Sequence, residues 1–117
     1  MNIYFQTTNI KVTQDEKNFM ANRMYVLNKF FSWDTSTYIE IERTRKSYNG
    51  HDLYYVSIKI DDPEYQYFAE EYRENVRSAF DHAYGDAFRL VRSHRSKSRN
   101  LVRRAGLKIK RLFKRQI

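Results

Sequence analysis

The sequence predicts a two-layer α+β domain of order β-α-β-β-β-α: a four-stranded sheet with two helices packed on one face, plus a basic C-terminal tail. Three observations carry this. Four short stretches have strand character, two longer ones carry apolar residues at three- and four-residue steps, and turn residues separate them. With 117 residues, 41% hydrophobic and 31% charged, the chain can bury one small core and has a globular composition.

The first stretch, Met1 to Thr8, reads as a strand with Ile3 and Phe5 on one face and Tyr4 on the other. Thr13 followed by Glu16 has capping-box spacing. Phe19, Met20, Met24, Leu27, Phe30 and Phe31 then recur at helical steps, which predicts a helix from about Gln14 to Phe31, ending before Asp34. Lys17, Asn18, Arg23 and Asn28 populate its flanks.

Three strands follow. In Thr37 to Arg45, Thr37, Ile39, Ile41 and Arg43 share one face, while Tyr38, Glu40 and Glu42 share the other. Leu53 to Ile60 repeats the period with Tyr54, Val56, Ile58 and Ile60. Asn49-Gly50 between them is a hairpin signal, because both residue types tolerate positive φ. Pro63 marks a second turn before a strand from Tyr65 to about Tyr72. Asn75 is placed to cap a second helix with Val76, Ala79, Phe80, Ala83, Ala87 and Val91 as its stripe. Arg77, Arg89, Arg92 and Arg95 are expected to point outward from it, and Gly85 weakens it by about 1 kcal/mol relative to Ala.

The charge is uneven. Residues 1–86 hold 10 Lys/Arg against 14 Asp/Glu, whereas residues 87–117 hold 12 Lys/Arg and no acid. So dense a cationic segment repels itself unless a polyanion neutralises it, and a phosphate backbone does so while releasing condensed counterions. The basic set includes Arg89, Arg92, Arg95, Lys97, Arg99, Arg103 and Arg104. Leu101, Val102, Leu107, Ile109, Leu112, Phe113 and Ile117 lie among the cations of 98–117, so this tail is also readable as a basic amphipathic helix, interrupted by Gly106. The expected division is therefore 1–97 as the α+β domain and 98–117 as the tail.

Several classes find no support. No apolar run approaches the length a membrane-spanning helix needs, and the N-terminus lacks the pattern of a secretory signal, so a cytoplasmic protein is expected. Without Cys there is no disulfide frame and no thiolate metal site. His51, His82 and His94 show no ligand spacing, so neither metal nor cofactor is expected. The three glycines form no phosphate loop. Asp61-Asp62 and Glu70-Glu71 are sequence neighbours that a strand turns to opposite faces, so no catalytic carboxylate pair is expected and the chain reads as a non-enzyme. Tyr38, Tyr54, Tyr65 and Tyr67 are residue types of a base-stacking platform, but strand aromatics more often serve packing.

Read together, these residues resemble the ribosome hibernation promoting factors, also called ribosome-associated inhibitor or sigma-54 modulation proteins. Asn9-Ile10-Lys11-Val12-Thr13 is similar to the family's strand-to-helix junction. Lys17, Phe19, Arg23, Leu27, Lys29, Phe30 and Phe31 match its first-helix pattern, and Val76 through Ala79-Phe80-Asp81 to Arg89 follow its second. The family usually has Tyr where Arg77 stands, and Lys-Leu where Asp86-Ala87 stand. The resemblance implies the family's short form, without a C-terminal dimerisation domain, and a monomer off the ribosome.

It further implies binding at the decoding region of the small ribosomal subunit, on 16S-type rRNA, in competition with mRNA and with A- and P-site tRNA. Lys17, Arg23, Lys29, Arg77, Arg89, Arg92, Arg95, Lys97, Arg99, Arg103 and Arg104 are the expected rRNA contacts, with His94 as a further polar contact. Two other readings of the same charge remain: a general double-stranded RNA-binding module, and a membrane-peripheral protein using the basic tail.

Overall fold

The computed structural model describes residues 1–48 and 51–95, with the side chains of 45–48 and 51 excepted. Within them the order is β1 (Asn2–Thr8), α1 (Gln14–Tyr25), a 3-10 turn (Val26–Phe30), β2 (Ser36–Tyr48), β3 (His51–Asp61), β4 (Gln66–Arg73) and a second helix, α2, over 76–95. The expected β-α-β-β-β-α order stands, with two helices on one four-stranded sheet.

Strand order follows chain order, β1-β2-β3-β4. β1 runs parallel to β2, a pairing that needs a long crossover, and α1 supplies it. Asn9 opens that crossover at φ 58°, a left-handed conformation that Asn tolerates better than most residues. β2–β3 and β3–β4 are antiparallel. The first hairpin closes with Tyr48 paired to His51; Asn49 and Gly50 lie outside the described residues. The second closes through reciprocal backbone bonds between Asp62 and Tyr65, with the Asp62 carboxylate accepting the Glu64 N–H at 3.2 Å.

Both caps form as expected. The Thr13 hydroxyl accepts the Glu16 N–H at 3.1 Å, and the Asn75 side chain accepts the Ser78 N–H at 2.7 Å. The first helix is shorter than its apolar stripe implied: α-helix ends at Tyr25 and a 3-10 turn carries the stripe on to Phe30. The tighter turn keeps Leu27 buried and Phe30 and Phe31 against the core, so apolar spacing alone did not separate the two helix types.

The core lies between the sheet and the helices. Met20, Met24 and Leu27 from the first helical segment meet Ile39, Ile41, Val56, Ile58 and Ile60 from the sheet. Ala79, Phe80, Ala83, Ala87 and Val91 complete it from α2, where the small residues allow close approach. The other face of the sheet carries Tyr4, Tyr38, Lys59 and Phe68 in one cross-strand row, and nothing among the described residues covers it.

Candidate nucleic-acid interface

Contacts fix how the two helices lie. Phe19 meets Phe80 edge-on at 6.2 Å, Arg23 sits over Tyr84, and Arg95 sits over Phe31, so positions rise together along both helices and the helices run parallel. The seam between them is aromatic. Phe80, Tyr84 and Phe88 follow at four-residue steps on α2, with ring centroids 6.0 and 6.2 Å apart.

Five of the expected contact residues are seated on aromatic rings along or beside this seam. Arg77 lies 3.7 Å from the Phe19 centroid, Arg23 5.0 Å from Tyr84, and Arg92 5.6 Å from Phe88. At the C-terminal end of the helices Arg95 lies 5.1 Å from Phe31, and Lys29 lies 5.2 Å from Phe30. A ring under a cation restrains the side chain without neutralising it. The seam thus holds positive charge toward one side of the wedge.

Ion pairing divides the set. Arg77 pairs with Asp81 at 3.4 Å, and Arg89 pairs with Asp86 one turn earlier. Arg23, Lys29, Arg92 and Arg95 have no carboxylate partner within ion-pair distance among the described residues, nor does half-buried Lys17. Lys97, Arg99, Arg103 and Arg104 lie outside the described residues, as does the rest of the expected tail.

One expectation needs correction. Arg95 does not point freely outward: it is half-buried, and its Nε is enclosed without a hydrogen-bond partner, because the side chain turns under Phe31. His94, expected as a further polar contact, is half-buried: its ring stacks on Tyr65 at 4.0 Å and its Nδ1 shares a 2.7 Å hydrogen bond with the Tyr67 hydroxyl. Lys29, Arg95, Tyr65 and His94 line an open cleft of about 400 Å³, with Asp62 and Glu64 on its rim. Burial raises the Tyr67 hydroxyl above its ordinary pKa, and the nearby Arg95 charge opposes that rise.

The four tyrosines considered as a platform do not share a face. Tyr54 and Tyr67 lie on the helix-covered side, in register with Arg43 and Ile60, whereas Tyr38 faces out and stacks on Tyr4 at 5.3 Å. Two of the rings under the cations were missed in the sequence. Tyr84 and Phe88 had no place in the stripe expected of the second helix, although their four-residue step from Phe80 was a usable signal. Trp33, four residues after Lys29 and outside the expected helical stripe, is 84% exposed between Ser32 and Asp34.

Fold and ridge together define the class: a two-layer α+β domain whose helical side carries ring-seated cations. The chain belongs to the family described as sigma 54 modulation protein / S30EA ribosomal protein, which matches residues 3–99. That family is ribosome-associated and is not a known enzyme family.

The solved structures agree on the fold. The N-terminal domain of Protein Y from Thermus thermophilus is similar, with a TM-score of 0.62 at 19% identity over 80% of this chain and 94% of that one. A ribosomal subunit interface protein from Coxiella burnetii is similar too, with a TM-score of 0.63 at 8% identity over 80% of this chain and 98% of that one. No curated protein sequence matches this chain. No described helix is long and apolar enough to cross a membrane.

Proposed function

We propose that this protein is a ribosome hibernation factor that docks its helical side in the decoding region of the small subunit. There it occupies space that mRNA and A- and P-site tRNA need, and translation stops by exclusion rather than by chemistry. The observation that carries the reading is the seam itself: Arg23, Lys29, Arg92 and Arg95 seated on aromatic rings without carboxylate partners among the described residues, in a chain of a ribosome-associated family.

The physical logic is positional. Cations from two parallel helices, packed on one rigid sheet, reach phosphates of separate rRNA segments at once. Phosphate contacts fix register and orientation without reading bases, so shape supplies the selectivity. Arg89 and Arg77 join as auxiliary contacts once rRNA competes with Asp86 and Asp81 for them. The basic stretch beyond residue 97 adds counterion release.

Competition tests this reading. A structured RNA duplex in excess should leave the protein on small subunits, because a duplex offers phosphates but not the decoding-region shape. Displacement by duplex at concentrations comparable to the subunits would assign the protein to general double-stranded RNA binding. Co-sedimentation with anionic vesicles, unaffected by ribonuclease, would favour the membrane-peripheral reading.

A further inference from the structure

The open face of the sheet is the second surface with a defined chemistry, and its charge is opposite to that of the helical seam. Strand registers place Glu40, Glu42, Asp61 and Glu70 there, against Lys59 as the one cation among its described positions. The row Tyr4–Tyr38–Lys59–Phe68 crosses all four strands, with Tyr4 and Phe68 each 52% exposed. Between its aromatic walls lies a concavity of about 270 Å³ lined also by Ser57, Lys59 and Glu40, with the remaining acids of the face around it. Such a site suits an apolar side chain flanked by cations, and repels a phosphate backbone.

We propose that this face is the docking site of the chain's own basic segment, 101–115. Two features of the sequence match the face. Leu112-Phe113 is an apolar pair bracketed by Lys110, Arg111, Lys114 and Arg115, which complements an aromatic concavity on a face where four acids outnumber one lysine. The segment 96–117 contains no acid, so nothing within it competes with the sheet for its cations.

Reach is ample. His94 at the end of α2 stacks on Tyr65, immediately before β4, the edge strand that carries Phe68. The aromatic row spans three strand spacings, about 15 Å. The 17 residues from Arg95 to Leu112 extend to at most about 50–60 Å, enough to round the β4 edge and cross the row. Docked there, the cations are held by carboxylates until a denser polyanion takes them. The inference concerns the free protein and stands whether or not the ribosomal reading holds.

Paramagnetic broadening tests it on the full chain. The protein has no Cys, so Gln116→Cys carries a single nitroxide label. In the free protein at low salt, backbone amides of Tyr4, Tyr38, Lys59 and Phe68 should lose most of their intensity. The loss should disappear in 1 M salt, where the screening length is about 3 Å. It should also disappear in the triple variant Glu40→Gln, Glu42→Gln, Glu70→Gln, whose exchange-resistant core amides report on its fold. Uniform broadening, or broadening confined to residues of α1 and α2, would overturn the proposal. Equal broadening of isotope-labelled, spin-free chains by added nitroxide-labelled chains would make the contact intermolecular and overturn the proposal in favour of a second copy. Loss of these amides without recovery in salt would make the contact apolar rather than charge-matched, against the proposal.

Discussion

The guanidinium of Arg23 on α1 rests 5.0 Å from the centre of the Tyr84 ring on α2, so one helix's cation is seated on the other helix's aromatic ladder. Neither side chain is in the innermost core, yet together they fix how the charged sides of the two helices meet. Arg77 on Phe19 repeats the relationship with the roles of the helices exchanged. Packing of the core and presentation of charge are therefore one arrangement.

The unpaired cations should carry more of the affinity than the paired ones. Arg23→Ala and Arg92→Ala remove exposed side chains, so each should weaken small-subunit binding while lowering fold stability by no more than about 0.5–1 kcal/mol, the worth of an exposed cation–π contact. Each lost phosphate contact should reduce the log–log salt slope by about 0.7–0.9. A salt titration of subunit binding measures both. Unchanged slopes would exclude these residues from phosphate contact.

Asp86 should act as a restraint on Arg89. Asp86→Asn removes the carboxylate that pairs with it one turn away. An exposed pair is worth about 0–1 kcal/mol, so RNA affinity should rise a few-fold and fold stability should change little. Weaker binding in this variant would mean that Asp86 orients Arg89 rather than occupying it.

Helix α2 can be stabilised at one position and α1 weakened at another. A Cβ on Gly85 would meet only the Arg89 side chain, at 3.9 Å, an ordinary contact. Gly85→Ala should therefore raise stability by about 0.5–1 kcal/mol through helix propensity. Thr13→Ala removes the acceptor of the Glu16 N–H and should cost about 1 kcal/mol. Urea unfolding of the two variants should move in opposite directions.

Alkaline pH should loosen the sheet through Tyr55. Burial, helped by its 2.7 Å hydrogen bond to Glu70, pushes its hydroxyl up from 10.0 to about 12. The folded state therefore holds this proton more tightly than the unfolded chain. That stabilisation is complete below pH 10 and is lost as pH rises through about 12. Urea midpoints measured on either side of pH 11 should fall more steeply for the parent protein than for Tyr55→Phe. Identical slopes would remove Tyr55 as the cause.

Truncation separates fold from affinity. Deleting residues 98–117 should leave thermal unfolding cooperative, because the described core extends to Val91 and His94 packs on Tyr67 of β4. Ribosome affinity should drop and its salt dependence should flatten. An unfolded truncate would place the domain boundary beyond residue 97.

The fold was legible because local and tertiary demands agree. Ile39, Ile41, Val56, Ile58 and Ile60 alternate as a sheet buried on one face must, and Thr13 and Asn75 cap where the chain turns into helix. The 3-10 turn was not legible, since Leu27 and Phe30 satisfy either helix type once they reach the core. The site was half legible. The residue types and positions of Arg23, Lys29 and Arg92 are in the sequence, but the rings on which they rest depend on side-chain geometry. Asp81 and Asp86 lie at helical spacing from Arg77 and Arg89, so spacing already offers both pairs, whereas Arg92 has no acid three or four residues away. Arg95 shows the same limit, because a side chain folded under Phe31 has the same sequence spacing as one in solvent.

Co-sedimentation of the purified protein with separated small and large ribosomal subunits, with and without mRNA and initiator tRNA, tests the central claim most directly. The account predicts binding to the small subunit alone, lost when mRNA and tRNA are bound. Equal binding to both subunits, indifferent to mRNA and tRNA, would contradict it and leave the ring-seated cations as a general polyanion-binding surface.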